Sequence, residues 1–257
     1  MPTSLQLLGG SWPEEPGLDT ALSKLILDKV SAGDMAPTIR LYVPGREVAF
    51  GRRDAVAPQY PAAVAAAHDA GFTAVERLAG GRAAVFTEHT IAFSLAVADP
   101  DPRTTIHKRF QEMSELVVGA FARLGVDSGI GEVPGEYCPG EFSVHHGHRI
   151  KLMGVGQRLA KRAAHVGGVI TVNRTDLLQR ALIPVYRALE LEWRPHTAGT
   201  LGDVQPGLRN DDVLAALKAE FADRFELTRD RVDKSLVEEA HLLAHRHLPV
   251  EHRDGSS

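Results

Sequence analysis

Hydrophobic positions along the chain switch repeatedly between helical and extended spacing. Leu18, Leu22, Leu25, Ile26 and Val30 recur at three- and four-residue steps around Asp19, which predicts a helix over 18–30. Two short extended runs, 38–43 and 47–51, flank Pro44-Gly45. That dipeptide reads as a turn, so the runs are expected to form an antiparallel pair. The alanine-rich stretch 60–70 predicts a helix stopped by Gly71. Strands are expected at 72–78, 83–86 and 90–97. A long helix over 105–124 carries Phe110, Met113, Val117, Phe121 and Leu124 on one face. Four glycines and two prolines make 127–140 a loop. Three more strands follow at 142–145, 149–156 and 166–172, the first two joined by a hairpin at His145–His148. Helices are then expected at 176–189, 211–225 and 230–245.

Strands and helices are mixed without a regular βαβ alternation, and neighbouring strands are joined by tight turns. The fold class expected is therefore α+β, a mixed and largely antiparallel sheet packed with helices. The division expected is a catalytic domain over 1–203 and a helical C-terminal extension over 204–257, ending in the polar run Asp254–Ser257.

Composition narrows the partners. A 257-residue chain with 44% hydrophobic and 24% charged residues can bury a full core. A formal charge of -4 gives no electrostatic reason to expect nucleic acid. The single cysteine, Cys138, excludes an internal disulfide and a multi-cysteine zinc site. The first residues lack a basic region followed by an apolar run, and no stretch reaches the roughly 20 apolar residues of a bilayer span. A cytoplasmic protein with no membrane partner is expected. His145, His146 and His148 read as a polar turn, so no metal site is expected.

Two segments carry candidate chemistry. In Arg77-Leu-Ala-Gly80-Gly81-Arg82, paired glycines between strands let backbone N–H groups approach a ligand, and the flanking arginines can meet an anion. In Lys151-Leu-Met-Gly154-Val-Gly156-Gln157, strand alternation puts Lys151, Met153 and Val155 on one face and Leu152, Gly154 and Gly156 on the other. A lysine among such neighbours either answers an anion or acyl-phosphate, or reaches solvent from an edge strand.

Taken in order, Arg-x-x-Gly-Gly-Arg, the extended run ending in Thr90–Leu95 and the later Lys-x-x-Gly-x-x-Gln resemble the lipoate–protein ligase family. This family includes octanoyl- and lipoyl-transferases and is distantly related to biotin–protein ligases. The likeness runs from the first helix to about residue 190 and includes Gly51-Arg52. It implies the biotin/lipoate ligase catalytic fold and attachment of a lipoyl or octanoyl group to a lysine of a lipoyl-domain carrier protein. The acyl group would arrive as free lipoate or octanoate, or as a carrier thioester. By the same resemblance Lys151 is the cation at the acyl carbonyl or adenylate phosphate. Arg77, Gly80, Gly81 and Arg82 line the acyl and nucleotide site, Gly154 lets its strand approach the ligand, and Gln157 sits at that strand's far end.

There are departures from the family pattern. Glu76 replaces the first arginine of the usual pair, and Arg82 the third glycine. Phe86 stands where a histidine is usual, with His89 the candidate replacement. The Asn-Asp pair that helps ligases hold magnesium and nucleotide is not evident; Glu141 lies in that region.

Two activation routes stay open. The ligase route joins the acyl carboxylate to AMP, with ATP and magnesium as cofactors, before transfer. It is the route expected here, because nothing in the sequence proves a nucleophile. The alternative resembles the cysteine-dependent branch, in which Cys138 takes the acyl group as a thioester and no ATP or other cofactor is needed. A third reading is a non-catalytic acyl or lipoyl-domain binding protein that kept the pocket. Arg158, Lys161 and Arg162 form either a solvated loop or a greeting surface for an acidic carrier.

Overall fold

The computed structural model describes residues 2–250. Its elements in chain order are β1 (Ser4–Gly9), α1 (Leu18–Ala32), β2 (Thr38–Tyr42), β3 (Glu47–Phe50), α2 (Arg52–Ala55), α3 (Tyr60–Asp69), β4 (Thr73–Glu76), β5 (Ala84–Phe86), β6 (Thr90–Ala98) and α4 (Ile106–Arg123). They continue with β7 (Gly129–Ile130), β8 (Val144–His146), β9 (Ile150–Leu159), β10 (Ala163–Thr171), α5 (Thr175–Ala188), α6 (Leu201–Val204), α7 (Asn210–Arg224), β11 (Glu226–Arg231) and α8 (Lys234–Ala244). The α+β expectation holds.

The larger sheet has the order β11-β1-β2-β6-β10-β9-β8-β7. Its first three strands run parallel, and every pairing from β2 onward is antiparallel. On one face α4 and α7 press Met113, Val117 and Phe121 against Val213, Leu217 and Phe221. On the other, Leu22, Ile26 and Val30 of α1 pack with Leu236 and Ala240 of α8. A second sheet of order β4-β3-β5 has its own core with α3 and α5, built on Phe50, Tyr60, Leu182 and Val185. Each fully buried Leu or Phe of this kind contributes about 2–3 kcal/mol.

The expected antiparallel pairing of 38–43 with 47–51 is not formed. β2 pairs with β1 and β6, whereas β3 pairs with β4 and β5 in the other sheet. The reason is competition between two cores. Ile39 and Leu41 are claimed by the main core, Val48 and Phe50 by the second. Pro44-Gly45 is therefore a passage between sheets, so tight that a Cβ on Gly45 would lie 2.3 Å from the Pro13 carbonyl oxygen.

The residues after 203 are not a helical appendage alone. The expected boundary falls within α6, and Val213, Leu217 and Phe221 belong to the main core. Between the two helices, β11 adds a parallel edge strand to β1 with Ser4 opposite Glu226. The end of the expected extension, 251–257, with the polar run Asp254–Ser257, lies outside the described residues. No helix among the described residues is long and apolar enough to cross a membrane.

Candidate active site

β9 positions the central cation. β8 flanks only its first residues, and the ladder slips between Val144 and His145: His145 faces Lys151, while Val144 faces Met153. This bulge at Leu152 resets the alternation, bringing Lys151 to the same side as Gly154 rather than the opposite side expected from strict alternation. A Cβ on Gly154 would stand 3.1 Å from the Lys151 Cε, so the glycine makes room for the lysine.

Lys151 is 1% exposed. Its ammonium donates to the carbonyls of Cys138 at 2.8 Å and Tyr137 at 3.1 Å, and stands 3.4 Å from the Glu136 carboxylate. The Nζ also lies 4.9 Å from the centroid of the Tyr137 ring. The edge-strand reading of this lysine is thereby excluded; its charge is buried and answered.

Cys138 sits in the loop between β7 and β8 with φ 43°, a left-handed conformation unusual for a side chain other than glycine. Its N–H donates to the Tyr186 hydroxyl at 2.8 Å, and that hydroxyl donates to the Ala83 carbonyl at 2.9 Å. The Sγ accepts the Arg82 backbone N–H at 3.2 Å and lies 3.3 Å from an Arg77 Nη. The same Nη donates to the Arg82 carbonyl at 2.6 Å. Burial pushes the Cys138 thiol up, but the Arg77 guanidinium, the Lys151 ammonium and the Arg82 N–H together bring it below its ordinary value.

The glycine turn is packed directly beneath this sulfur. Gly81 has φ +100°, and a Cβ there would lie 2.7 Å from the Cys138 Sγ and 2.6 Å from the Arg77 Nη. Gly51, whose added Cβ would fall 2.0 Å from the Gly81 carbonyl oxygen, admits the turn from below. The Arg82 guanidinium points elsewhere, pairing at 3.0 Å with the buried Asp54, so it is the backbone of Arg82 that meets the thiol.

A cavity of about 400 Å³ opens over these groups. Arg77, Gly80, Gly81, Cys138, Lys151, Gly154 and Gln157 all stand on its wall, as do apolar side chains such as Phe110 and Phe142. Gln157 is held in place rather than free: its amide donates to the Ile106 carbonyl at 2.8 Å and accepts from Arg109 at 2.9 Å. His89 is not brought to the cavity. It lies just before β6, 3.7 Å from the Glu88 carboxylate, with its carbonyl accepting the Val172 and Asn173 N–H groups. Phe86 lines a neighbouring cavity of about 60 Å³ that shares Arg77 with the first. There, burial raises the Glu47 carboxyl to about 7 and lowers His165 to about 4.

Glu141 reaches the cavity wall, while Arg158, Lys161 and Arg162 are exposed beyond it. The His145 and His148 rings meet at a tilt of 39°, their centroids 3.9 Å apart. Sequence reasoning missed Glu136, Tyr137 and Tyr186. The only local signal was that two of them immediately precede Cys138.

Residues 15–221 match the family described as the lipoyl protein ligase A/B catalytic domain. An octanoyl-[GcvH]:protein N-octanoyltransferase of Anoxybacillus flavithermus is 29% identical over 225 residues, covering 84% of this chain and 80% of the relative. One bearing the same name from Bacillus velezensis is 26% identical over 191 residues, covering 72% of this chain and 65% of that protein. Among solved structures, a T. acidophilum protein with bound lipoic acid superposes with a TM-score of 0.75, 20% identity and 95% of both chains covered. Lipoate-protein ligase A bound with ATP gives 0.69 at 20% identity, over 95% of this chain and 94% of that one. The chain belongs to the lipoyl protein ligase A/B catalytic domain family.

Proposed function

We propose that this protein moves an octanoyl or lipoyl group from an acyl donor to a lysine of a carrier protein through a thioester on Cys138, without ATP. The observation that carries the reading is the sulfur's setting: an acidified thiol, 3.2 Å from the Arg82 N–H and 3.3 Å from Arg77, on the wall of an apolar-sided cavity. Curated relatives named N-octanoyltransferases support it.

In the first step the Cys138 thiolate attacks the donor's acyl carbonyl. A C–S bond forms, the bond from that carbonyl to the donor's nitrogen or sulfur breaks, and the donor leaves as its amine or thiol, taking up the proton that Cys138 shed on ionising. In the second step the neutral amine of the acceptor lysine attacks the thioester. A C–N bond forms, the C–S bond breaks, and the amine's proton offsets the returning thiolate. Negative charge on the acyl oxygen develops in the field of Lys151 and Arg77, fixed before the reaction begins.

The residues of the site fit a thiolate better than a triphosphate. Lys151 is committed to two carbonyls and Glu136, and Arg77 directs an amino group to the Arg82 carbonyl and the Cys138 sulfur. Phosphate recognition needs cations turned toward it. The thioester route is therefore proposed in place of the acyl-adenylate route that the sequence alone favoured.

The test is transfer to a purified lipoyl-domain carrier, with octanoyl-carrier as donor in one arm and octanoate with ATP and magnesium in the other. Transfer in the first arm, lost in Cys138→Ser, supports the thioester route. Transfer only in the ATP arm, undiminished in Cys138→Ser, contradicts it.

A further inference from the structure

Glu136 is a carboxylate enclosed by protein, 3% exposed, two residues before the sulfur. One oxygen accepts the Gly140 N–H at 3.0 Å and the Ser143 hydroxyl at 2.7 Å, and lies 3.4 Å from the Lys151 ammonium. The other oxygen is buried with no hydrogen-bond partner among the described residues. An isolated ion so placed costs several kcal/mol, which argues that its charge is retained for what it does to a neighbour. That neighbour is Lys151, whose donors all converge on residues 136–138.

We propose that Glu136 is a positioning residue for the acyl-transfer site: it is the buried counter-anion that holds the Lys151 ammonium against the Cys138 peptide, and it acts on the Cys138 thiol through Lys151. The proposal rests on the thioester reading above. Four charges then alternate through the site: Arg77, the Cys138 thiolate, Lys151 and Glu136. Glu136 by itself, as an anion, disfavours the thiolate; by holding the Lys151 cation against the Cys138 peptide it acts in the opposite sense, and this second effect is proposed to prevail. The other titratable groups turned to this site are Tyr137 in the same loop, Tyr186 from α5, Asp54 behind Arg82, and His107 and Glu141 on the cavity wall. Of these only Tyr137 touches the Lys151 ammonium, through its carbonyl and its ring; no carboxylate among them lies against it.

The experiment reads the thiol directly. Cys138 is the one cysteine in the chain, so the pH dependence of iodoacetamide alkylation reports its ionisation without turnover. Glu136→Gln retains an acceptor for Gly140 and Ser143 but not the charge. Its alkylation midpoint is expected to rise by about one pH unit or more, the usual effect of losing an ion-pair partner within 4–6 Å. In Glu136→Gln/Lys151→Met a midpoint close to that of Glu136→Gln is expected, since both changes act on the thiol through the same side chain. Glu136→Asp, drawn back by one methylene, should rise by less and serves if the glutamine variant does not fold. Ser143→Ala, which keeps both charges, should leave the midpoint where it was. A folded Glu136→Gln or Glu136→Asp with an unchanged or lowered midpoint overturns the proposal. Failure of the thioester reading would show differently, as transfer that persists in Cys138→Ser.

Discussion

The Lys151 ammonium donates to the carbonyl of Cys138 at 2.8 Å, so the site's buried cation grips the very peptide that carries the thiol. Lys151 therefore has two roles that a single substitution removes together. In the proposed mechanism it supplies positive charge near the reacting carbonyl, and in the structure it binds the carbonyl of the left-handed Cys138. Lys151→Met keeps much of the side chain's volume and removes the charge. Transfer is expected to fall at least ~100-fold, and stability by about 3 kcal/mol, because Glu136 is left buried without its partner. Urea denaturation checks the second figure. Combining the change with Glu136→Gln should recover most of that stability but not the transfer.

Arg77 touches the Cys138 sulfur and lowers its pKa. The folded thiol is thus more acidic than the unfolded one. Its ionisation stabilises the fold above the unfolded pKa of about 8.5, and that contribution is lost as pH falls through the folded value. Arg77→Gln should move the alkylation midpoint upward and steepen the loss of transfer on the acid side. An unchanged midpoint would mean that Arg77 is not what acidifies the sulfur.

Gly81 is expected to be intolerant of even one added carbon. With φ +100° and the Cys138 sulfur 2.7 Å from the position of a Cβ, Gly81→Ala must displace Arg77 or the thiol. The backbone strain costs about 1–2 kcal/mol, whereas the loss of transfer should be far larger than so small a destabilisation explains. Gly80→Ala is the control, since a Cβ at Gly80 meets nothing within 4 Å. Equal losses in the two variants would count against the packed turn.

His165 is 5% exposed, bonded at 3.0 Å to the Ser94 hydroxyl, and lowered to about 4 by burial and then by Arg40. A histidine kept neutral in the fold contributes stability above its unfolded pKa of about 6.5, and this is lost as pH falls toward 4. Unfolding free energies at pH 7 and pH 4.5 should therefore differ by roughly 2–3 kcal/mol through this group. His165→Gln should flatten that part of the profile.

What could be read from the sequence was whatever is written locally. The helical stripes of α1 and α4, the hairpin at His145–His148 and the linked glycine and lysine motifs are all set by residues a few positions apart. Closure in three dimensions is not written that way. Glu136 sits in a glycine- and proline-rich loop, where a carboxylate ordinarily faces water; only the return of β9 beneath the loop buries it against Lys151. Tyr186 looks like one more core residue of α5, and its hydroxyl finds the Cys138 N–H from 48 positions away. The strand β11 has almost no apolar side chain, being mostly exposed, so its only mark is the backbone pairing with β1. Lys151 was legible as a candidate, and the structure sets it on the cavity wall, but its facing Gly154 depends on a bulge that alternation cannot foresee.

The most direct measurement of the central claim is the intact mass of the protein after brief mixing with octanoyl-carrier in the absence of ATP. A single octanoyl adduct is expected, mapped to the peptide containing Cys138, labile to hydroxylamine and discharged when carrier bearing a free lysine is added. No adduct in the wild type, with transfer proceeding equally well in Cys138→Ser, would contradict it.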